Sequence, residues 1–301
     1  MSNLDLKDAK YEENKVILEG VKNFNIKQIL ECGQCFRWEK IKEMDYIIIA
    51  FGKVIEVIQE GDNVTILNSN KEDFKNIWFK YFDLERDYGK IKEELSKDET
   101  LKLSVEYGYG IRLLNQEPFE LLISFIISAR NSIPSIKKTI SKISERFGEK
   151  IEYNGETYYT FPTPGELKDA TEDDIRETGA SFRSKYIVDT VKNINSDLDI
   201  EDGIYNLCRI EGLSDDDCHK ALQEFKGVGA KVADCIMLFS MGKYSGFPVD
   251  VWVKRAMMHF YDAEEGSLNK IRIFARDRFK NLAGFAQQYL FYYARENGIK
   301  L

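Results

Sequence analysis

The sequence predicts an α+β protein in which an antiparallel β-sheet precedes a mainly α-helical region. Three observations lead to this prediction. Short runs of β-branched residues, separated by glycine-containing turns, occupy residues 46–67. From Glu72 onward, apolar residues recur at three- and four-residue intervals, which is the period of a helix. In the second half of the chain, two helical patterns flank Gly227-Val228-Gly229.

The composition is that of a globular protein. Of 301 residues, 43% are hydrophobic and 31% charged, and no apolar stretch approaches the roughly 20 residues that a membrane helix needs. The start of the chain is polar and resembles no signal peptide, so we expect a cytoplasmic protein with its five cysteines reduced. The net charge of −8 argues against coating nucleic acid by bulk electrostatics, although residues 220–255 and 270–300 are locally basic.

The individual elements are predicted in chain order. Residues 46–51, 54–58 and 64–67 should form an antiparallel meander, and residues 72–107 should be helical. Asn154-Gly155 predicts a tight hairpin within residues 150–159. Thr163 and Thr171 are each followed three residues later by an acid, which is typical of helix starts.

Two motifs are ambiguous when taken alone. Glycines between helices let backbone N–H groups face an anion such as phosphate, but they also simply connect helices. Cys32 and Cys35 form a Cys-x-x-Cys pair, yet zinc would need two further ligands and only His219 and His259 remain. We therefore predict no metal and no cofactor.

The order of several motifs resembles that of the 8-oxoguanine DNA glycosylases, a family within the helix-hairpin-helix DNA glycosylase superfamily. The matching segments are Gly33-Gln34-Cys35-Phe36-Arg37-Trp38, residues 110–114, 125–128 and 182–186, Lys231-Val232-Ala233-Asp234-Cys235, Pro248-Val249-Asp250-Val251, and residues 283–287. The resemblance implies a TATA-binding-protein-like β domain over residues 1–112 and a helical catalytic region of two subdomains over 113–301. The helix-hairpin-helix would lie at about 215–241.

The resemblance makes Lys231 the nucleophile that attacks the sugar C1′ and forms a Schiff base, whose β-elimination nicks the strand. A lysine at this position could otherwise be a surface residue or a phosphate contact. Asp250 would stabilise the positive charge that develops on the sugar. Asp250 could also be an N-cap worth about 1 kcal/mol, and we expect both roles.

Base recognition requires an extruded nucleotide. Gln287 and Phe291 lie four residues apart, so on a helix an amide that reads the base and a ring that stacks on it share one face. The resemblance adds Cys235 on the opposite face of the base, the Gly33 carbonyl as acceptor for the N7–H of 8-oxoguanine, and Pro248. Core packing or, for Gln287, a solvated surface position is the alternative for these side chains.

The remaining predicted contacts are to DNA. Phe182 and Arg183 resemble the wedge and the intercalated arginine of the family. Arg130 and Asn131 occupy a turn where other members carry consecutive asparagines, and Trp252 replaces a histidine that contacts phosphate. The turn Gly227, Val228 and Gly229 would hold a phosphate. Because Arg130 and Ser135 depart from the family pattern, we predict a weaker preference for cytosine opposite the lesion.

The sequence thus predicts a bifunctional DNA glycosylase and abasic-site lyase that acts on double-stranded DNA containing 8-oxoguanine. We expect a monomer in the cytoplasm, associated with the nucleoid. Two alternatives remain open at this point: a glycosylase for another damaged purine, such as an alkylated base, and a non-catalytic module that bends DNA.

Overall fold

The computed structural model of the protein describes residues 5–261, 263 and 267–299. The first four residues of the polar start therefore lie outside the described part. The strands are β1 Asp8–Glu12, β2 Lys15–Glu19, β3 Trp38–Lys42, β4 Asp45–Ala50, β5 Lys53–Glu60, β6 Asn63–Leu67, β7 Lys150–Tyr153 and β8 Glu156–Tyr159. The α-helices are α1 Ile26–Glu31, α2 Lys71–Asp73, α3 Phe79–Tyr81, α4 Tyr88–Leu95, α5 Glu99–Tyr107, α6 Pro118–Ser128, α7 Ile133–Phe147, α8 Glu172–Ile175, α9 Ser184–Asp197, α10 Leu207–Gly212, α11 Asp215–Leu222, α12 Ala230–Ser240, α13 Val251–Tyr261, α14 Leu268–Phe279 and α15 Ala283–Glu296. Short π-helical turns span Phe74–Trp78 and Arg176–Ala180, and 3-10 turns span Ser181–Arg183 and Lys280–Leu282.

The N-terminal sheet is antiparallel, with the strand order β1-β2-β6-β5-β4-β3. The three predicted strands are confirmed as β4, β5 and β6, at the middle of the sheet, because their β-branched side chains are buried. One face of the sheet packs against α1 and residues 74–84. On the other face Ile47, Ile49 and Val54 pack against the hairpin β7-β8. The sheet followed by helices confirms the predicted α+β class.

The helices share a second apolar core in which α6 packs on α12, and α5 packs on α15. Tyr88, Leu95 and Val105, from α4 and α5, belong to this core, whereas Leu114, which follows them in the chain, belongs to the core of the sheet. The two cores therefore interleave along the sequence. The division of the chain at residues 112 and 113 stays a prediction.

A fully buried arginine joins the two parts. The guanidinium of Arg112 pairs with Asp5 at 3.0 Å and donates to the carbonyl of Asp83 at 2.7 Å, with its plane over the ring of Tyr88. The carbonyl of Arg112 accepts from the side chain of Gln34 at 2.8 Å. A buried charge is tolerated only when it is paired and hydrogen-bonded, so these contacts fix the position of Arg112. The hydrogen bond to the Arg112 carbonyl in turn fixes the side chain of Gln34.

The predicted hairpin and one of the two predicted helix starts are present in the structure, and the other helix start is not. The predicted hairpin is confirmed, with Asn154 and Gly155 both at positive φ. The capping box at Thr171 starts α8. At Thr163 the hydrogen bonds with Glu166 form, but the chain makes turns instead of a helix, so that helix prediction was wrong. In the described part of the chain no helix is both long and apolar enough to cross a membrane.

Candidate active site

Helices α11 and α12 form a hairpin joined by residues 223–229. Gly227 lies in this turn at φ +88°, a conformation that favours glycine, and a Cβ there would lie 2.9 Å from the ring of Tyr186. Gly229 is the N-cap of α12, and Lys231 lies in the first turn of that helix, where the partial positive charge of the helix dipole is greatest. The Nζ of Lys231 lies 5.0 Å from the centre of the Phe125 ring.

A small cavity of about 50 Å³ brings together seven of the predicted residues. They are Lys231, Asp250, Gly33, Cys235, Pro248, Gln287 and Phe291. Phe125, Phe239 and Gln288 complete its lining. The cavity adjoins a wider groove of about 840 Å³, which Arg130, Asn131 and Trp252 also line. The predicted catalytic and base-binding sets therefore lie in one place, although they come from three distant parts of the sequence.

Asp250 caps α13, as predicted. Its Oδ1 accepts from the backbone N–H groups of Trp252 at 2.9 Å and Val253 at 2.8 Å. Burial raises the pKa of this carboxyl, while the two N–H groups and the charges of Lys231 and Arg295 oppose the rise. The hydrogen bonds fix the orientation of the carboxyl in the lining it shares with Lys231.

Cys235 lies one helical turn after Lys231 and is buried. Burial raises the pKa of its thiol to about 11, although the nearby charge of Lys231 acts in the opposite direction. The side chain is therefore a neutral thiol at physiological pH. Such a group offers a soft, polarizable surface against which a ring can pack.

Gln287 on α15 is 4% exposed, and its Oε1 has no hydrogen-bond partner among the described residues. A buried carbonyl oxygen without a partner costs about 1–3 kcal/mol. The amide lines the cavity with Phe291, which is one turn further along the same helix. An unsatisfied acceptor at the wall of a cavity is a feature expected of a site that binds a hydrogen-bond donor.

The loop at Gly33 is held by side chains that the sequence analysis did not single out. Gln288 donates to the carbonyl of Cys32 at 2.9 Å, and Arg295 donates to the carbonyl of Glu31 at 2.7 Å. Gly33 has a φ of +87°, and a Cβ there would lie 3.2 Å from the ring of Phe291. Only glycine fits this position without strain.

A sequence signal for these missed residues exists. Gln288 adjoins Gln287, and Arg295 follows Phe291 by four positions, so α15 presents them on neighbouring faces. Phe125 belongs to a segment that carries the family resemblance, and nothing in the sequence marks Phe239 as part of the lining.

The two side chains predicted to enter the DNA, Phe182 and Arg183, differ in their solvent exposure. Phe182 is 49% exposed, as a wedge would be. Arg183, in contrast, is buried, and its Nε donates to the carbonyl of Ala129 at 2.9 Å while Nη2 donates to that of Arg130 at 3.1 Å. These bonds hold the turn at Arg130, whose φ is +52°. A DNA contact by Arg183 stays a prediction, and it requires the guanidinium to leave these carbonyls.

A buried polar cluster lies beneath the helical hairpin. Asp234 is fully buried and receives two hydrogen bonds from Arg272, at 2.6 and 2.8 Å. His219 lies 3.5 Å from Asp234, with its Nε2 3.1 Å from the carbonyl of Ala230 and its Nδ1 3.1 Å from the amide of Gln223. Burial lowers the pKa of His219, so the neutral ring donates from Nε2. The cluster fixes the peptide immediately before Lys231.

A helical hairpin with a lysine in the first turn of its second helix, together with an aspartate that caps a following helix, is the arrangement that the resemblance to the helix-hairpin-helix DNA glycosylases implies. Residues 123–281 match the family model of the HhH-GPD superfamily base excision DNA repair proteins. Residues 16–122 match that of the N-terminal domain of 8-oxoguanine DNA glycosylase. The chain therefore belongs to the 8-oxoguanine DNA glycosylase family.

Individual relatives agree with this assignment. The chain is 34% identical to a probable N-glycosylase/DNA lyase of Methanothermobacter thermautotrophicus over 76% of each protein. It is 30% identical to the N-glycosylase/DNA lyase of Saccharomyces cerevisiae over 81% of this chain and 70% of that protein. The crystal structure of the Clostridium acetobutylicum 8-oxoguanine glycosylase/lyase, in complex with double-stranded DNA containing cytosine opposite 8-oxoguanine, matches with a TM-score of 0.94 and 55% identity. That match covers 98% of this chain and 100% of the other.

Proposed function

We propose that this protein removes 8-oxoguanine from double-stranded DNA and then nicks the strand at the abasic site. The observation that carries the proposal is the unpartnered Oε1 of Gln287 in the same cavity as Lys231 and Asp250. A base whose edge donates to this oxygen would place its sugar toward the amine and the carboxylate. The relatives named above as glycosylase/lyases support the same activity.

In the first step the neutral amine of Lys231 attacks the sugar C1′ while the bond from C1′ to N9 of the base breaks. The base leaves with the bonding electrons and takes up the proton that the attacking nitrogen loses. Positive charge develops on the sugar during this step, and the Asp250 carboxylate stabilises it electrostatically. The hydrogen bonds to Trp252 and Val253 hold the carboxylate in place, so little reorganisation is needed.

In the second step the bond between C1′ and Lys231 becomes a Schiff base as the sugar ring opens. Loss of a proton from C2′ then expels the phosphate at C3′, which nicks the strand. Hydrolysis of the Schiff base returns the amine of Lys231.

We also propose the base-binding roles predicted from the sequence. Phe291 and Cys235 would pack on the two faces of the base, and Gly33 and Gln287 would contact its edge. The cavity of about 50 Å³ is much smaller than the roughly 300 Å³ or more of typical ligand pockets, so its lining has to open as the base enters.

The test is borohydride trapping on a duplex with one 8-oxoguanine. The wild type should give a covalent adduct and free base, and Lys231→Gln should give no adduct. Lys226→Gln is the matched control, because Lys226 lies on the same hairpin but is exposed and pairs with Asp189. Base release by Lys231→Gln at the wild-type rate would show that water is the nucleophile. Binding without release of any base by the wild type would favour a non-catalytic module instead.

Two finer proposals follow. Arg130 and Ser135 leave the site with a weaker preference for cytosine opposite the lesion than in family members that follow the usual pattern, and excision rates measured with the four opposing bases should differ less than in those members. Strong discrimination among those bases would contradict this. We also propose that the protein acts as a monomer. Because its substrate is DNA, we place it in the cytoplasm in association with the nucleoid.

A further inference from the structure

A second groove, of about 530 Å³, lies outside the lysine cavity. It is bounded by β3, by one face of α7 and by the hairpin β7-β8. Aromatic, cationic and hydroxyl side chains line it, among them Trp38, Lys137, Lys138, Ser141, Ser144 and Tyr158, together with the carboxylates of Glu39 and Glu145. No residue of the proposed mechanism lines this groove.

The cationic side chains of this groove differ in whether they form an ion pair with a carboxylate. Arg37 forms an ion pair with Glu120 at 3.4 Å, and Lys40 pairs with Glu43. The Nζ of Lys137, in contrast, lies 3.5 Å from the centre of the Trp38 ring and donates to the Trp38 carbonyl at 2.9 Å. Within the described residues no carboxylate lies within 4 Å of it, and Glu39 and Glu31 act on this half-buried ammonium only from a longer distance.

The groove also contains a buried hydroxyl without a partner. Ser144 is 3% exposed, and among the described residues its Oγ has no hydrogen-bond partner. Lys137, Ser141 and Ser144 are spaced by four and three residues, so they share one face of α7. A ligand that satisfies this face has to supply an anionic group for Lys137 and a hydrogen-bonding group for Ser144. Trp38 and Tyr158 add aromatic surface for a flat ring.

The second groove is continuous with the groove beside Lys231. Phe36 lines both of them. The start of α7, at residues 132–136, lines the groove beside Lys231, and the following turns of the same helix line the second one. A DNA strand held beside Lys231 therefore lies next to an opening that has cationic and aromatic walls, and such walls are typical of sites for single-stranded DNA.

We propose that this second groove binds an unpaired nucleotide of DNA, with its phosphate at Lys137 and its base against Trp38 and Tyr158. The site would let the protein hold a single-stranded segment beside the duplex it repairs. The inference goes beyond base excision and does not depend on it, because it concerns undamaged DNA.

The experiment measures the binding of undamaged, fluorescently labelled DNA by anisotropy. The probes are a single strand of about 12 nucleotides, within the usual range of site sizes, and the blunt duplex of the same sequence. The variants are Lys137→Gln, Ser144→Ala and, as the control, Lys142→Gln. Lys142 is an exposed lysine of the same helix that does not line the groove.

Lys137→Gln should bind the single strand about fivefold more weakly, which corresponds to one lost ion pair, and should bind the duplex as the wild type does. The slope of log affinity against log salt for the single strand should become shallower by about 0.7, the loss of one phosphate contact. Ser144→Ala should weaken the same complex without lowering the melting temperature, because its hydroxyl has no partner to lose. Lys142→Gln should match the wild type.

Three results would overturn the proposal. The first is that Lys137→Gln and Ser144→Ala both bind the single strand as tightly as the wild type. Lys137→Gln could weaken single-strand and duplex binding equally, which would assign Lys137 to the duplex surface. Free dGMP could compete as effectively, per nucleotide, as the oligonucleotide, which would make the ligand a mononucleotide instead of DNA.

Discussion

Replacing Gln287 with methionine should make the protein more stable and at the same time impair its recognition of the damaged base. The buried Oε1 of Gln287 has no partner in the described structure, and such a group costs about 1–3 kcal/mol. Methionine has a similar length and a similar helix propensity, and its thioether adapts to irregular surroundings. We therefore expect the free energy of unfolding to rise by about 1 kcal/mol or more.

The neighbouring glutamine provides a matched control with the opposite sign. Gln288 is also buried on α15, but its amide donates to the Cys32 carbonyl at 2.9 Å. Gln288→Met breaks that bond and leaves a buried carbonyl unpaired, so the free energy of unfolding should fall by about 1–3 kcal/mol. The same substitution at two adjacent buried positions should thus move stability in opposite directions.

The assays are urea denaturation and single-turnover excision of 8-oxoguanine. Gln287→Met should excise the base much more slowly, yet it should nick a duplex with a preformed abasic site at nearly the wild-type rate, because that substrate has no base to recognise. If Gln287→Met proves less stable than the wild type, or loses nicking and excision equally, the assignment of its unpaired oxygen to base recognition is wrong.

Three further changes have defined outcomes. Gly33→Ala places a Cβ 3.2 Å from the Phe291 ring at a positive φ, so it should cost about 1–2 kcal/mol in a melting experiment and slow excision more than nicking of an abasic site. Equal slowing of both reactions would argue against a base-specific effect. Asp250→Asn keeps the N-cap and removes a carboxyl whose pKa is raised by burial. Stability at pH 7 should therefore hold or rise while excision falls, and in the wild type the acid limb of the pH profile should lie above the ordinary aspartate pKa of 3.8. An acid limb at or below that ordinary value would contradict this reasoning. His219 has a pKa lowered by burial, so the unfolded chain binds the proton more tightly and stability should fall as the pH drops below about 6.5. In His219→Gln the urea midpoint should lose this part of its pH dependence, and an unchanged dependence would show that other groups cause it.

The middle of the sheet was predictable because buried strands need consecutive β-branched residues, as in Asp45–Ala50. Of the strands of this sheet that were not predicted, β2 lies between β1 and β6, whereas β1 and β3 lie at the edges. The edge strands were missed because their composition is the opposite. Their residues, such as Asp8–Glu12, are mostly polar and exposed, so they resemble loops in the sequence. Their strand structure comes from pairing with a neighbour that lies elsewhere in the chain. The helix start at Thr163 was also wrong, since the three local hydrogen bonds between Thr163 and Glu166 do not suffice for a helix without an apolar face to bury.

The site was predictable only where several motifs matched a family together. Spacing alone placed Gln287 and Phe291 on one helix face, and cap chemistry alone allowed the role of Asp250 in α13. No local signal indicated that Arg183 would be buried against the carbonyls of Ala129 and Arg130, more than 50 residues earlier, because that contact depends on the packing of two distant turns. Interactions of this kind are determined by the tertiary fold.

The cavity is lined by residues from both ends of the sequence, so its lining is complete only late in translation. The ribosome makes Gly33 early and Lys231 much later, and Phe291 follows only after a further 60 residues. A nascent chain that ends before α15 already contains Lys231, yet it lacks the ring and the amide that line the cavity. Such a chain also lacks the two side chains of α15 that hold the Gly33 loop. With the roles proposed above for these residues, base selection is acquired last, when α15 has been made and has packed.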